Sequence, residues 1–174
     1  FGALLIYSSQ WKFNSGLFYG LETMLGGAGS VAATTAAKLL IGGGMLVVLI
    51  VVFILARQQD SPRATLRLAG LPLMAYVLLT PTFHPWYLLI LLAFVPFLPP
   101  GAGESRLWWL AALPWLWLSG TAVFSYLAYL DPALVFERPW VRLLQWLPVL
   151  LLLTAAFAAI LRDFPRSRSS PAQP

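Results

Sequence analysis

Three short stretches hold residue types that can do chemistry. The first is Pro81-Thr82-Phe83-His84-Pro85-Trp86-Tyr87, with the only histidine of the chain beside two aromatic rings. An imidazole there can donate to a phosphate or move a proton near neutral pH. It can equally be a helix-turn-helix corner facing interfacial water. The second is Tyr7-Ser8-Ser9-Gln10-Trp11-Lys12-Phe13-Asn14-Ser15. Amides and hydroxyls interleaved with rings suit a sugar or lipid headgroup, where rings stack and amides hydrogen-bond. An amphipathic helix lying in a membrane interface would read the same way. The third runs from Asp131 to Arg142, with Arg138 and Arg142 four residues apart and Glu137 beside them. Two guanidinium forks match the oxygens of a lipid phosphate; surface pairing with Asp131 and Glu137 is the alternative. Glu22 and Asp131 are the carboxylates that could serve as a base, and neither has a partner at readable spacing.

Other chemistries find no support in the residues. Gly42-Gly43-Gly44 has no Lys-Ser/Thr after it and lies in an apolar run, so it is not a phosphate loop. With no cysteine and one histidine, no metal-ligand cluster can be read, and no cofactor is expected. A net charge of +5 can signal nucleic acid, but in a chain this apolar it reads as cytoplasmic-side arginines, with no nucleic-acid partner expected.

These stretches must be positioned by membrane helices. Of 174 residues, 60% are hydrophobic and 10% charged, against roughly 25% charged in soluble domains. No Lys, Arg, Asp or Glu occurs between Arg67 and Glu104, between Arg106 and Asp131, or between Arg142 and Arg162. Each gap reaches the roughly 18 residues of a membrane span. The expected fold is therefore all-α, a polytopic transmembrane bundle over 36–161. Five spans are placed at about 36–56, 64–79, 86–98, 107–127 and 143–161. Residues 1–35 form an outer-face loop and interfacial helix, with Gly26–Ala37 as a linker, and 162–174 a disordered cytoplasmic tail. Gly42–Gly44 would bend the first span or let a neighbour approach.

Arginines set the orientation. Arg57, Arg63 and Arg67 crowd one connection, and Arg162, Arg166 and Arg168 the tail. Five spans put both on one side, which the positive-inside rule makes cytoplasmic. Residues 1–35, the Pro81–Pro85 break and the connection 128–142 then share the outer side. Trp86 and Tyr87, Trp108 and Trp109, Tyr126 and Tyr129, and Trp140 and Trp146 fall near span ends, as an interfacial belt does. The chain opens at Phe1 inside an apolar stretch and reads as the C-terminal part of a longer protein.

The pairing of Trp11-Lys12-Phe13-Asn14-Ser15-Gly16-Leu17-Phe18 with Thr80-Pro81-Thr82-Phe83-His84-Pro85-Trp86-Tyr87-Leu88-Leu89 resembles bacterial polytopic glycosyltransferases of the GT-C type. It is most similar to mannosyltransferase-like members that use polyprenyl-phosphate sugars. The resemblance covers roughly Tyr7 to Leu98. It implies a hexosyltransferase of the cell envelope, multi-pass in the plasma (inner) membrane. The donor would be a polyprenyl-phosphate sugar and the acceptor a glycan or lipid. By that resemblance His84 contacts the donor phosphate and is the best catalytic candidate, Trp86 and Tyr87 line the lipid or sugar path, and Trp11, Lys12 and Asn14 hold sugar or phosphate. The family's catalytic carboxylate is expected in an outer loop preceding this chain, so the fragment alone would be inactive. Arg138 and Arg142 are physical candidates outside the resemblance. A segment of a transporter or lipid flippase is the alternative, because a broken helix inside a charge-free run is a transporter feature.

Overall fold

The computed structural model of the chain describes residues 12–98, 110–130 and 137–163. Six α-helices occur there: α1 (Leu17–Met24), α2 (Val31–Ala56), α3 (Pro62–Leu79), α4 (Tyr87–Leu92), α5 (Leu113–Thr121) and α6 (Pro139–Asp163). Two 3-10 segments, Val95–Phe97 and Ala122–Tyr129, extend α4 and α5. The described residues contain no strand, only one isolated parallel bridge between Phe13 and Thr82.

Local sequence explains where the helices start and stop. Gly26, Gly27 and Gly29 all take positive φ, a conformation cheap only for glycine. The tight turn they make brings the chain to Ser30, whose hydroxyl accepts from the Ala33 N–H and caps α2. The helix therefore begins at Val31, and the linker expected over Gly26–Ala37 shrinks to the glycine turn. Ser61 caps α3 in the same way, with Pro62 in the first turn where a missing N–H costs nothing. Thr80 ends α3 in an extended conformation, as a residue before proline must.

Two helices, α2 and α6, are long and apolar enough to cross a membrane. Of the intervening three, α3 covers the short helix expected at about 64–79, while α4 and α5 are shorter than the segments expected at about 86–98 and 107–127. The 18-residue α3 carries Arg63 and Arg67 in its first two turns. The six-residue α4 gives way to a 3-10 turn at Val95–Phe97, where Pro96 cannot continue the ladder. The nine-residue α5 passes directly into the Ala122–Tyr129 3-10 segment.

Burial divides the molecule unevenly. Val77, Phe83, Leu91, Trp115, Leu118, Trp146 and Val149 form the centre of one core shared by α3 to α6. Trp146, expected in an interfacial belt, is buried there; Trp86 and Trp140 are about half exposed. In contrast, nothing in the most apolar 18-residue window of α2 is buried. Leu46, Val47, Ile50 and Phe53 all face outward. Gly42, Gly43 and Gly44 sit in an unbroken helix, and a Cβ at any of them would meet nothing within 4 Å. No described neighbour exploits them for close approach.

Candidate functional site

The two stretches that carry the resemblance are joined by main-chain hydrogen bonds. The Phe13 N–H donates to the Pro81 carbonyl at 3.1 Å, and the Phe83 N–H donates to the Phe13 carbonyl at 2.7 Å. Prolines on both sides keep Thr80–Pro85 out of a helix, which leaves these backbone groups available. The Thr80 hydroxyl braces the turn, donating to the Thr82 carbonyl at 2.8 Å and accepting from the Thr82 N–H at 3.2 Å.

This pairing builds a stack of rings. His84 lies parallel to Trp86 with centroids 4.2 Å apart and an interplanar angle of 8°. Phe13 covers the other side at 5.3 Å and 22°, and Tyr87 meets His84 edge-on at 5.6 Å. Beside the stack opens a cavity of about 230 Å³, lined by Phe13, His84, Pro85, Trp86, Ser125, Tyr126 and Tyr129. His84 is buried, and that burial pushes its pKa below the ordinary histidine value. At neutral pH it is therefore an uncharged imidazole with one N–H donor and one acceptor lone pair.

Lys12 and Asn14 flank Phe13 and bond to different elements. The Lys12 ammonium pairs with the Glu22 carboxylate of α1 and donates to the Thr34 hydroxyl of α2 at 2.9 Å. Glu22 is 2% exposed. Burial raises its pKa, but hydrogen bonds from Lys12 and Thr34, the Lys12 charge and the Gly29 N–H outweigh that and hold it below the usual carboxylate value. Asn14, at a left-handed φ of 46°, donates through Nδ2 to Ser125 at 2.8 Å and to the Gln145 Oε1 at 2.5 Å. Its N–H donates to Glu137 at 3.0 Å, and its carbonyl accepts from the Trp146 indole at 3.0 Å. Gln145, fully buried on α6, completes the network by donating to the Thr121 carbonyl at 2.7 Å.

The sequence candidates thus separate into groups. His84 and Trp86 line the cavity, and Tyr87 supports the stack from its edge. Lys12 and Asn14 reach the site through Phe13 but spend their side chains on anchoring it. Arg142 pairs with Glu137 and lies over the Tyr19 ring at 4.0 Å, while Arg138 is exposed. The pairing with Glu137, and not a two-arginine clamp, is the arrangement formed. Trp11 and Asp131 lie outside the described residues. Ser125 and Gln145 are additions that sequence reasoning missed. The only signal was a lone amide or hydroxyl inside an otherwise apolar run, which marks a polar group seeking a partner.

Residues of three separate connections meet here: Phe13 touches Thr82 and also the ring of Tyr129, and Asn14 touches Glu137. Among the described residues no three metal-ligating side chains converge. No family model, curated protein or solved structure matches this chain.

Proposed function

We propose that this chain is part of an integral membrane glycosyltransferase of the GT-C type. It would move a sugar, a hexose such as mannose, from a polyprenyl-phosphate donor to a glycan or lipid acceptor. The observation that carries the reading is the Phe13–Thr82 pairing, which unites both segments of the resemblance at the mouth of an aromatic cavity. In this reading the five helical regions from α2 to α6 form the bundle. The cavity opens on the outer face of the plasma membrane, and the C-terminus is cytoplasmic. The outward apolar surface of α2 supports a bilayer around it, because water does not tolerate so long an exposed apolar stretch.

The reaction makes use of such a site. The bond from the sugar's anomeric carbon to the donor phosphate oxygen breaks, and a bond to the acceptor oxygen forms. The acceptor's proton passes to a carboxylate base, and polyprenyl phosphate leaves carrying the electron pair. The neutral His84 N–H donates to the phosphate as that negative charge develops. Trp86, Tyr126 and Tyr129 present ring faces and edges to the sugar. Glu22 is a poor base, since it is buried, already hydrogen-bonded and held in its ionised form. Asp131, the other candidate base, lies outside the described residues.

The test is sugar transfer from a radiolabelled polyprenyl-phosphate sugar, in membranes holding the protein that contains this chain. His84→Ala at equal protein level is expected to lower transfer by about 10²-fold or more. Transfer that survives the change would leave the enzyme but remove His84 from its site. No transfer from any donor, together with substrate uptake in proteoliposomes, would replace the reading with a transporter. Because the chain has no cysteine, Trp86→Cys also tests the orientation directly: an impermeant outer-side thiol reagent should label it.

A further inference from the structure

Ser125 is only 3% exposed, yet it lines the aromatic cavity. It lies on the 3-10 segment Ala122–Tyr129. Three residues per turn align side chains at every third position. Ala122, Ser125 and Ala128 therefore share one buried face, and Tyr126 and Tyr129 form the next stripe, which also lines the cavity.

The hydrogen bonds around Ser125 fix where its proton can go. A carbonyl oxygen only accepts, so the 2.7 Å contact of Gln145 with the Thr121 carbonyl sets Nε2 toward Thr121. The Gln145 Oε1 then requires the Asn14 amide to present Nδ2, at 2.5 Å. With both amides oriented, the Ser125 oxygen accepts twice, from Asn14 Nδ2 at 2.8 Å and from Gln145 Nε2 at 3.1 Å. Both lone pairs are engaged, and the hydroxyl keeps one hydrogen to give. Gln145 Oε1, at 3.5 Å, lies beyond the usual O–H···O length and already accepts from Asn14. No other acceptor meets Ser125 among the described residues. A tetrahedral oxygen aims the remaining hydrogen away from both amides.

A buried donor left unpaired costs free energy that a ligand oxygen recovers. The cavity lining holds no charged side chain, which suits a neutral oxygen. A pyranose fits that chemistry, with C–H faces against Trp86, Tyr126 and Tyr129 and hydroxyl oxygens at its rim. In the glycosyl-transfer reading His84 meets the phosphate, which leaves the sugar's oxygens for Ser125. We propose that Ser125 is a specificity-determining residue, whose O–H donates to one hydroxyl oxygen of the bound hexose. The site then reads the sugar at a single carbon. This inference rests on the glycosyltransferase reading and adds the group that selects the sugar.

Equilibrium binding to the protein that contains this chain tests it, in detergent and without acceptor, so that no transfer occurs. The probes are polyprenyl-phosphate mannose and each of its monodeoxy analogues. Wild type should bind one analogue about tenfold more weakly than the parent, the effect of one neutral hydrogen bond. In Ser125→Ala the parent should weaken by about as much, and that analogue should lose nothing further. The other analogues should keep their ratios to the parent, and Ser125→Thr, which retains the hydroxyl, should keep the wild-type profile. An equal loss for the parent and every analogue in Ser125→Ala would mark a structural residue and overturn the proposal. So would a wild type that binds the parent and all analogues alike, a result that needs no variant to fold. Binding of neither polyprenyl-phosphate mannose nor its glucose counterpart would remove the glycosyltransferase reading itself, and this inference with it.

Discussion

Lys12 and Asn14 are two residues apart, yet they anchor the same short segment by opposite physics. Lys12 reaches α1 and α2 through a charged pair with Glu22. Asn14 reaches the 3-10 segment and α6 through neutral hydrogen bonds to Ser125 and Gln145. Phe13 between them faces His84. Regular extended backbone would put Lys12 and Asn14 on one side; the left-handed φ of 46° at Asn14 breaks that alternation, and one tripeptide ties both halves of the molecule to the ring stack. A charged tie answers to pH, whereas a neutral one answers to shape. The site is held by one of each.

The largest expected effect strikes the neutral side. Trp146 packs edge-on against Phe83, donates to the Asn14 carbonyl and fills the space against Gly16, where an added Cβ would run into its ring. Trp146→Ala should cost about 3–5 kcal/mol in a denaturing-detergent titration. On the charged side, Lys12→Met leaves the Glu22 carboxylate buried without its cation. A cost of about 2 kcal/mol is expected, below the figure for a fully buried pair because the Lys12 side chain is 27% exposed. Gln145→Leu removes the acceptor of the Asn14 amide and should cost about 1 kcal/mol.

Titration sharpens the contrast. The folded pKa of Glu22 is depressed, so its contribution is present above the ordinary carboxylate range and lost as pH falls through the folded value. The stability gap between wild type and Lys12→Met should therefore close on acidification, while the Gln145→Leu gap stays flat. His84 adds the smallest term. Its folded pKa is depressed by burial, so below the ordinary histidine range the unfolded chain takes up the proton first and stability falls. The His84→Gln variant should lack that slope.

The break at Pro81–Pro85 was legible because two prolines interrupt a 36-residue charge-free run. The same runs located helical regions but not their starts, since charge reports a span while the serine and glycine turn set Val31 as the first helical residue. Family resemblance and the arginine bias led only to the expectation that both segments share one side; no local spacing encodes the pairing of Phe13 with Thr82. Trp146 was misread because aromatic belts and aromatic cores share one composition, and only packing separates them. Ser125 and Gln145 stayed hidden for a related reason: a single polar residue advertises a need for a partner, but its partner lay 111 or 131 residues away.

That separation governs the order of assembly. At about 5–20 residues per second, a ribosome delivers Gln145 roughly ten seconds after Asn14. In that interval Phe13 can already pair with Thr82, and Lys12 with Glu22, but the Asn14 amide has no α6 to bind. The N-terminal segment therefore docks in two stages, and the second waits for the last helix to be made. A pause in translation between Thr82 and Gln145 would prolong the half-docked form, in which the aromatic cavity lacks its support from α6.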